Sequence, residues 1–279
     1  MIKVVKIGGN VVDDPELLKD FIRKFASMQG MKILVHGGGV MASRLQKAMG
    51  MEPIMIEGRR VTDEDTLKVV TMVYAGWCSK NIAALLQAEG CNAIGLSGTD
   101  GNAIRAGKRK PVAIVMSSKE EAGEETVRMV DYGYVGDVSA EGVNAKFIYS
   151  LLEQGIVPVF NAINHDGEGH LLNTNADTIA SSVAVAMAMH GKEKDSGCER
   201  CELIYCFEKD GVLHDKDDDT SVIPEIGRKL FEDLKREGRI ADGMIPKLTN
   251  SFKAIDSGVA RVVIKHARNL LEDKGTTLI

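Results

Sequence analysis

The sequence predicts an α/β fold, a mainly parallel sheet covered by helices on both faces. Two observations predict it. Short apolar runs alternate along the chain with longer segments of helical periodicity, the pattern of strand–helix–strand units. The early runs also end in glycine clusters, where strand-to-helix turns of parallel sheets lie.

The elements follow in order. Ile2–Ile7 reads as a buried strand. Residues 15–29 read as a helix, with Pro15 in the first turn and Leu17, Leu18, Phe21, Ile22 and Phe25 at helical spacing. Residues 31–35 form a second strand that ends in His-Gly-Gly-Gly, and residues 40–49 a helix. Asp63 opens a longer helical stretch toward Glu89, and residues 92–96 are a third strand before Ser-Gly-Thr-Asp-Gly. Residues 111–138 carry hairpin signals. A helix over 140–154 and a strand over 156–161 precede Asn-Thr-Asn-Ala-Asp, which introduces an Ala- and Val-rich helix over 178–189. After a charged linker come a strand over 203–207 and a helix over 224–237 with cations at its C-terminal end. A helix from Asp-Gly-Met-Ile-Pro-Lys-Leu to about Gly258 and a strand over 262–265 complete the reading.

The bulk composition narrows the function. With 279 residues, one large domain or two lobes can bury a sizeable core. A net charge of -5 gives no electrostatic case for nucleic acid or an anionic membrane. No apolar run reaches the roughly 18 residues of a membrane span, and Met1 leads directly into a strand rather than a leader. Five cysteines in a long chain do not suggest a disulfide framework, so a reduced, cytoplasmic protein is expected.

The polar residues at the turns point to anions. Gly8-Gly9 and Gly37-Gly38-Gly39 follow adjacent strands, and glycines let backbone N–H groups approach a phosphate. Each cluster alone could be a tight turn; two together, one beside Lys6, favour anion binding. Lys247 is a cation near a helix start, where the dipole disfavours it unless an anion is present. Asp177 could simply be a dipole-stabilised acid, and Asn173 and Asn175 could cap a helix or bind a ligand. Arg60 could clamp a carboxylate, with Arg59 an open competitor. Cys198 and Cys201 give only one Cys-x-x-Cys pair, too few ligands for zinc, so no metal site is expected. The acidic run 214–220 lacks the glycine and glutamate of an EF-hand and reads as a solvated turn, and His36 reads as satisfying local backbone.

Taken in order, Lys6-Ile7-Gly8-Gly9-Asn10, His36-Gly37-Gly38-Gly39, Arg60-Val61-Thr62, Gly133-Tyr134-Val135-Gly136, Asn173-Thr174-Asn175-Ala176-Asp177, Asp242-Gly243-Met244-Ile245-Pro246-Lys247 and Gly275-Thr276 resemble the amino acid kinase family over nearly the whole chain. Each motif is short; their order and spacing carry the resemblance. It implies a three-layer αβα sandwich of two lobes: residues 1–165 for acylglutamate binding and dimerisation, residues 166–279 for ATP. It implies ATP-dependent phosphorylation of the γ-carboxylate of N-acetyl-L-glutamate in arginine biosynthesis, with Mg²⁺ carried mainly by the nucleotide phosphates. Lys6, Lys247 and Asp177 match the catalytic positions. Gly38, Gly39, Arg60 and Asn173 match the substrate positions, which favours Arg60 over Arg59. Gly8, Gly9, Gly211, Gly243 and Met244 match the nucleotide positions.

Such chemistry needs no general base, because a glutamate-like γ-carboxylate with a pKa near 4.3 is already ionised at neutral pH. Residues 206–211 depart from the family's usual turn, and residues 105–130 look expanded beside the acyl pocket. N-succinyl-L-glutamate is therefore an alternative substrate. Other family substrates and a non-catalytic amino-acid or nucleotide sensor are further alternatives; retention of Lys6, Asp177 and Lys247 argues against the sensor. The resemblance also implies a homodimer with little arginine feedback, since the extra N-terminal helix of hexameric relatives is absent.

Overall fold

The computed structural model describes residues 1–117, 125–193, 200–215, 218, 220–240 and 244–279. Eight strands form its central sheet: β1 (Ile2–Ile7), β2 (Lys32–His36), β3 (Ala93–Leu96), β4 (Val157–Phe160), β5 (Cys201–Phe207), β6 (Glu225–Ile226), β7 (Arg261–His266) and β8 (Thr276–Leu278). Their order is β6-β8-β7-β5-β1-β2-β4-β3, and every neighbouring pair is parallel except β7–β8. All side chains of β2 and β4 are buried, which is why these strands read as continuous apolar runs rather than alternating ones. The chain turns back between the two sides of β1, with β2 on one edge and β5 on the other. Ligands collect at such a switch point, beyond the carboxyl ends of the strands.

The helices are α1 (Gly9–Asp13), α2 (Pro15–Ser27), α3 (Gly39–Ala48), α4 (Glu64–Thr71), α5 (Ser79–Ala88), α6 (Ala145–Glu153), α7 (Ala176–Glu193), α8 (Arg228–Arg236) and α9 (Met244–Asp256). α6, α7 and α9 cover one face of the sheet; α5, with α2 stacked on it, covers the other. The three layers expected from the sequence are present. In α2, Asp14 accepts from the amides of Glu16 and Leu17, and Leu18, Phe21, Ile22 and Phe25 are buried, each contributing about 2 kcal/mol. Lys32 of β2 reaches the far end of α2 and donates to the carbonyls of Phe25, Ala26 and Met28 at 2.7–2.8 Å, so this buried lysine acts as a helix C-cap.

The long helical stretch after Asp63 is one run, but Met72–Cys78 within it is a π-helix. Its length and hydropathy alone would pass for a membrane span. Here Val69, Val70, Val73, Ile82 and Leu86 are buried in the protein core, while the other side carries charged residues such as Lys80.

Elsewhere the structure corrects the sequence expectations. The helix expected over 140–154 is split, because Asn144 caps α6 by accepting from the Phe147 amide, and only a short 3-10 turn, Ala140–Gly142, precedes it. The helix expected over 224–237 starts at Arg228, because Glu225 and Ile226 pair with Thr277 and Leu278 as β6. In the hairpin region Val112–Ser117 pairs with Glu125–Val130, whereas Gly136–Asp137 pairs with Gly107–Lys108. Two further hairpins were not expected: Met55–Ile56 with Arg59–Arg60, and Ile163–His165 with Leu171–Asn173. Of the charged linker, residues 194–199, including Cys198, lie outside the described residues.

Candidate functional site

β1 lies between β2 and β5, with Lys6 in register with Val35 and Tyr205. Its ammonium is 2.7 Å from Asp177 Oδ1. Asp177 comes from the first turn of α7, where the Asn175 side chain accepts from the amides of Asp177 and Thr178 at 2.9 and 3.1 Å and so fixes the turn. Lys247, in the first turn of α9, brings its ammonium to 3.7 Å from Asp177 Oδ2 and over the rings of Phe207 (4.7 Å) and Tyr205 (5.6 Å). Three residues spread over more than two hundred positions of chain thus form one cluster.

The electrostatics are coupled. Burial pushes the Asp177 carboxyl up, but Lys6 and Lys247 outweigh it and hold the carboxyl below its ordinary range. Burial pulls the Lys247 ammonium down, Asp177 opposes that, and Lys6 adds to it. The cluster holds two cations around one shared anion. An incoming polyanion would relieve the repulsion between the two lysines.

The glycine turns build the floor. A Cβ on Gly9 would approach the amide nitrogen of Gly39, so the turns after β1 and β2 face each other. The Gly8 amide donates to the Cys206 carbonyl at 3.0 Å, so that N–H is already engaged by the chain. The amides of Gly9 and Asn10 open α1, where no intrahelical acceptor exists. A Cβ on Gly38 would lie 2.9 Å from the Tyr74 ring and 3.1 Å from Cys78 Sγ, so this position excludes every side chain for lack of space. His36, fully buried, contacts the Gly37 carbonyl through Nδ1 at 2.7 Å and the Ser79 hydroxyl through Nε2 at 2.9 Å. A carbonyl only accepts, so Nδ1 carries the proton, and burial lowers the imidazole pKa to about 4. His36 does satisfy local backbone, as expected, and also links the triglycine turn to α5.

Two connected hollows occupy this end of the sheet. The larger, about 630 Å³, has Lys6, Gly8, Gly9, Lys247, Glu208 and Met244 in its walls. The smaller, about 190 Å³, shares Gly37–Gly39, Met55 and Arg60 with it and adds Arg59, Tyr74, Val135 and Asn173. Arg60 is 6% exposed and donates to the Gly39 carbonyl (2.9 Å), the Ser43 hydroxyl (2.8 Å) and the Gln46 side-chain oxygen. Arg59, more exposed, lies 3.6 Å from Asp137, whose carboxylate Arg109 already holds with two bonds of 2.8 and 2.9 Å. The Asn173 amide donates to the Thr62 hydroxyl at 3.0 Å.

The structure therefore brings together Lys6, Lys247, Asp177, Gly8, Gly9, Gly38, Gly39, Arg60, Asn173 and Met244. Gly211 packs against Thr276 and Val222 on the far side of β5, and Gly243 lies outside the described residues. Glu208 lines the larger hollow and accepts from the Asn10 side-chain Nδ2 at 3.1 Å. Sequence reasoning missed Tyr74, Ser43, Gln46 and the two aromatic rings beneath Lys247. Their positions show no motif, and only the helical spacing of Ser43 and Gln46 could have placed those two on one face of α3.

Comparisons with known proteins bear on the family and the fold. The family model described as "Amino acid kinase family" matches residues 1–266. A protein of Parabacteroides distasonis named acetylglutamate kinase is 48% identical over 98% of this chain and 97% of its own. A Phocaeicola vulgatus protein of the same name is also 48% identical, over 99% of this chain and 97% of its own. Among solved structures, smu.665 from Streptococcus mutans superposes with a TM-score of 0.71 at 26% identity, covering 99% of this chain and 98% of its own.

Proposed function

The chain belongs to the amino acid kinase family, and we propose that it transfers the γ-phosphoryl group of ATP to the γ-carboxylate of N-acetyl-L-glutamate, an acetylglutamate kinase step of arginine biosynthesis. The observation that carries this reading is the Lys6–Asp177–Lys247 cluster at the mouth of the larger hollow. Phosphoryl transfer between two anions needs them held in line and their growing charge neutralised. Lys6 and Lys247 supply that charge, and Asp177 keeps both ammoniums aimed before the substrates arrive. The Gly9 amide, in the wall of the same hollow as Lys6, is a further donor to the phosphoryl oxygens, whereas Gly8 contributes close approach rather than its engaged N–H. The acceptor carboxylate is ionised at neutral pH and attacks without a base.

The acylglutamate sits in the smaller hollow in this reading, over Gly38 and Gly39, with Arg60 on its α-carboxylate and Asn173 on its acylamino group. ATP lies over the C-terminal half, beside Met244, with its adenine beyond the phosphates. Residues 1–165 then serve as the acylglutamate and dimer lobe, and residues 166–279 as the nucleotide lobe. Mg²⁺ enters with the nucleotide as part of the substrate. Among the described residues no three His, Cys, Asp or Glu side chains gather into a metal cluster, and Asp177 is already shared by two lysines. The cytoplasm suits this role, and Cys78, Cys91, Cys201 and Cys206 are buried free thiols.

A homodimer fits the surface. β3 is an edge strand carrying the exposed Ile94, and Met72 and Trp77 stand out on the helix next to it, 52% and 61% exposed.

One observation favours a second acyl group. The counter-ion of Arg59 is already held by Arg109, so Arg59 has charge to spare for the distal carboxylate of N-succinyl-L-glutamate. Supplying the purified protein with MgATP and either acylglutamate, then trapping the acyl phosphate as its hydroxamate, separates these readings. Hydroxamate from N-acetylglutamate supports the first; product from N-succinylglutamate alone moves the substrate to the second; none from either sinks both.

A further inference from the structure

The π-helical segment Met72–Cys78 interrupts an otherwise α-helical run. Such turns are less favourable than the helix around them and gather at functional sites. Its effect can be read from burial. Residues 66, 69 and 70 face inward before it, 73, 74 and 78 within it, and 79, 82 and 86 after it. In an uninterrupted α-helix the next inward position after 73 and 74 would be 77, yet Trp77 faces solvent. The extra residue shifts the buried stripe by one. Tyr74, in phase with the residues before the shift, meets the triglycine turn and Arg60, and the shift lets the same helix present Ser79 to His36.

Tyr74 is 5% exposed and lines the smaller hollow. Its ring fills the space that a side chain at Gly38 would need, and its hydroxyl is 4.0 Å from the Cβ position of Gly39. That hydroxyl faces the Arg60 guanidinium. A guanidinium only donates, so the phenol oxygen meets it as an acceptor and the phenol proton remains to be given elsewhere. The ring lines the smaller hollow, where that proton can meet a bound ligand. Burial raises the phenol pKa, against the opposing pull of Arg60, so the proton stays on the oxygen at neutral pH.

We propose that Tyr74 is a substrate-binding residue whose hydroxyl donates to the same α-carboxylate that Arg60 holds. The assignment rests on the acylglutamate reading of the smaller hollow. A guanidinium and a phenol on one carboxylate fix its plane as well as its charge. The π turn lets one helix carry both Tyr74 at the triglycine turn and Ser79 at His36.

The test is Tyr74→Phe, which keeps the ring against Gly38 and removes the hydroxyl. A hydrogen bond to a charged group is worth about ten- to a hundredfold in binding. KM for the acylglutamate rises by that factor, while kcat and KM for ATP stay within about twofold and the melting temperature is unchanged. Calorimetric binding of N-acetyl-L-glutamate, which needs no turnover, weakens by the same factor. An acylglutamate KM within twofold of wild type overturns the assignment. So does a joint loss in which kcat and melting temperature fall and both KM values rise, which would make Tyr74 a packing residue. Wild-type protein that binds N-acetylglutamate without turning it over defeats the kinase reading and leaves Tyr74 to be judged by calorimetry; wild-type protein that binds none defeats both.

Discussion

Asp177→Asn removes the carboxylate that two ammoniums share. Its oxygens lie 2.7 Å from Lys6 and 3.7 Å from Lys247. At an effective dielectric near 20 these attractions are about 6 and 4 kcal/mol before desolvation. Water reaches the edge of the cluster and reduces both, but the remainder still exceeds the roughly 1.4 kcal/mol that corresponds to tenfold in rate. Without the anion the lysines repel each other and leave the in-line position. A fall in kcat of about 10²–10³ is expected, the range for loss of one transition-state donor. The variant also has a pH signature. Lys247 is already pulled down by burial, and Lys6 pulls it the same way, while Asp177 opposes both. Its active form is the charged one, so activity falls as pH rises through its pKa. Removing Asp177 lowers that pKa further and moves the alkaline limb of kcat to lower pH. ADP release at saturating MgATP and acylglutamate, followed from about pH 6 to 9.5, reads both effects. A kcat within threefold of wild type, with the alkaline limb unmoved, would refute the shared-anion account.

Lys6→Ala and Lys247→Ala each lower kcat by about 10²–10³ with smaller changes in KM, measured by the same ADP assay; near-normal kcat in either removes that residue from the catalytic set. His36 gives a stability prediction. Its folded pKa is about 4 against an ordinary 6.5, so its share of stability is fully present above about pH 6.5 and lost as pH falls toward about 4. The loss is about 3 kcal/mol. Urea melts at pH 7 and pH 4.5 compare wild type with His36→Gln, in which that part of the acid sensitivity is gone; equal sensitivity in both would contradict the buried neutral imidazole. Trp77→Glu puts a charge on the exposed outer side of the π segment and is expected to convert a dimer into a monomer by light scattering, whereas an unchanged mass moves the interface elsewhere.

Much of the fold was legible because its strands are buried on both faces and its helices carry apolar stripes. β1, β2 and α2 sit where periodicity and Pro15 put them. The short hairpin that bears Arg59 and Arg60 was not legible. Its turn is Glu57-Gly58, with φ of 48° and 73°, a type I′ geometry that Asn-Gly or Asp-Gly would have announced. β6 was read as helix because its pairing partner, β8, lies some fifty residues away, and a distant edge overrides local propensity.

The site was legible where the chemistry is concentrated in the turns. Lys6, Asp177 and Lys247 stand in motifs at element ends, and the fold closes the distances between them. Choosing between Arg59 and Arg60 needed the resemblance; in the structure Arg60 is the buried one, gripped by α3. Tyr74 was invisible because an aromatic residue in an apolar helix looks like core, and only the hollow it lines and the arginine beside it distinguish it. The engaged amide of Gly8 could not be read from glycine content either, since it depends on the register between β1 and β5.

The most direct measurement is the phosphorus NMR spectrum of the purified protein with MgATP and N-acetyl-L-glutamate. The account predicts an acyl-phosphate resonance that grows in step with ADP and disappears on adding hydroxylamine. ADP without an acyl phosphate, or no change in either when N-acetyl- or N-succinyl-L-glutamate is supplied, would contradict it.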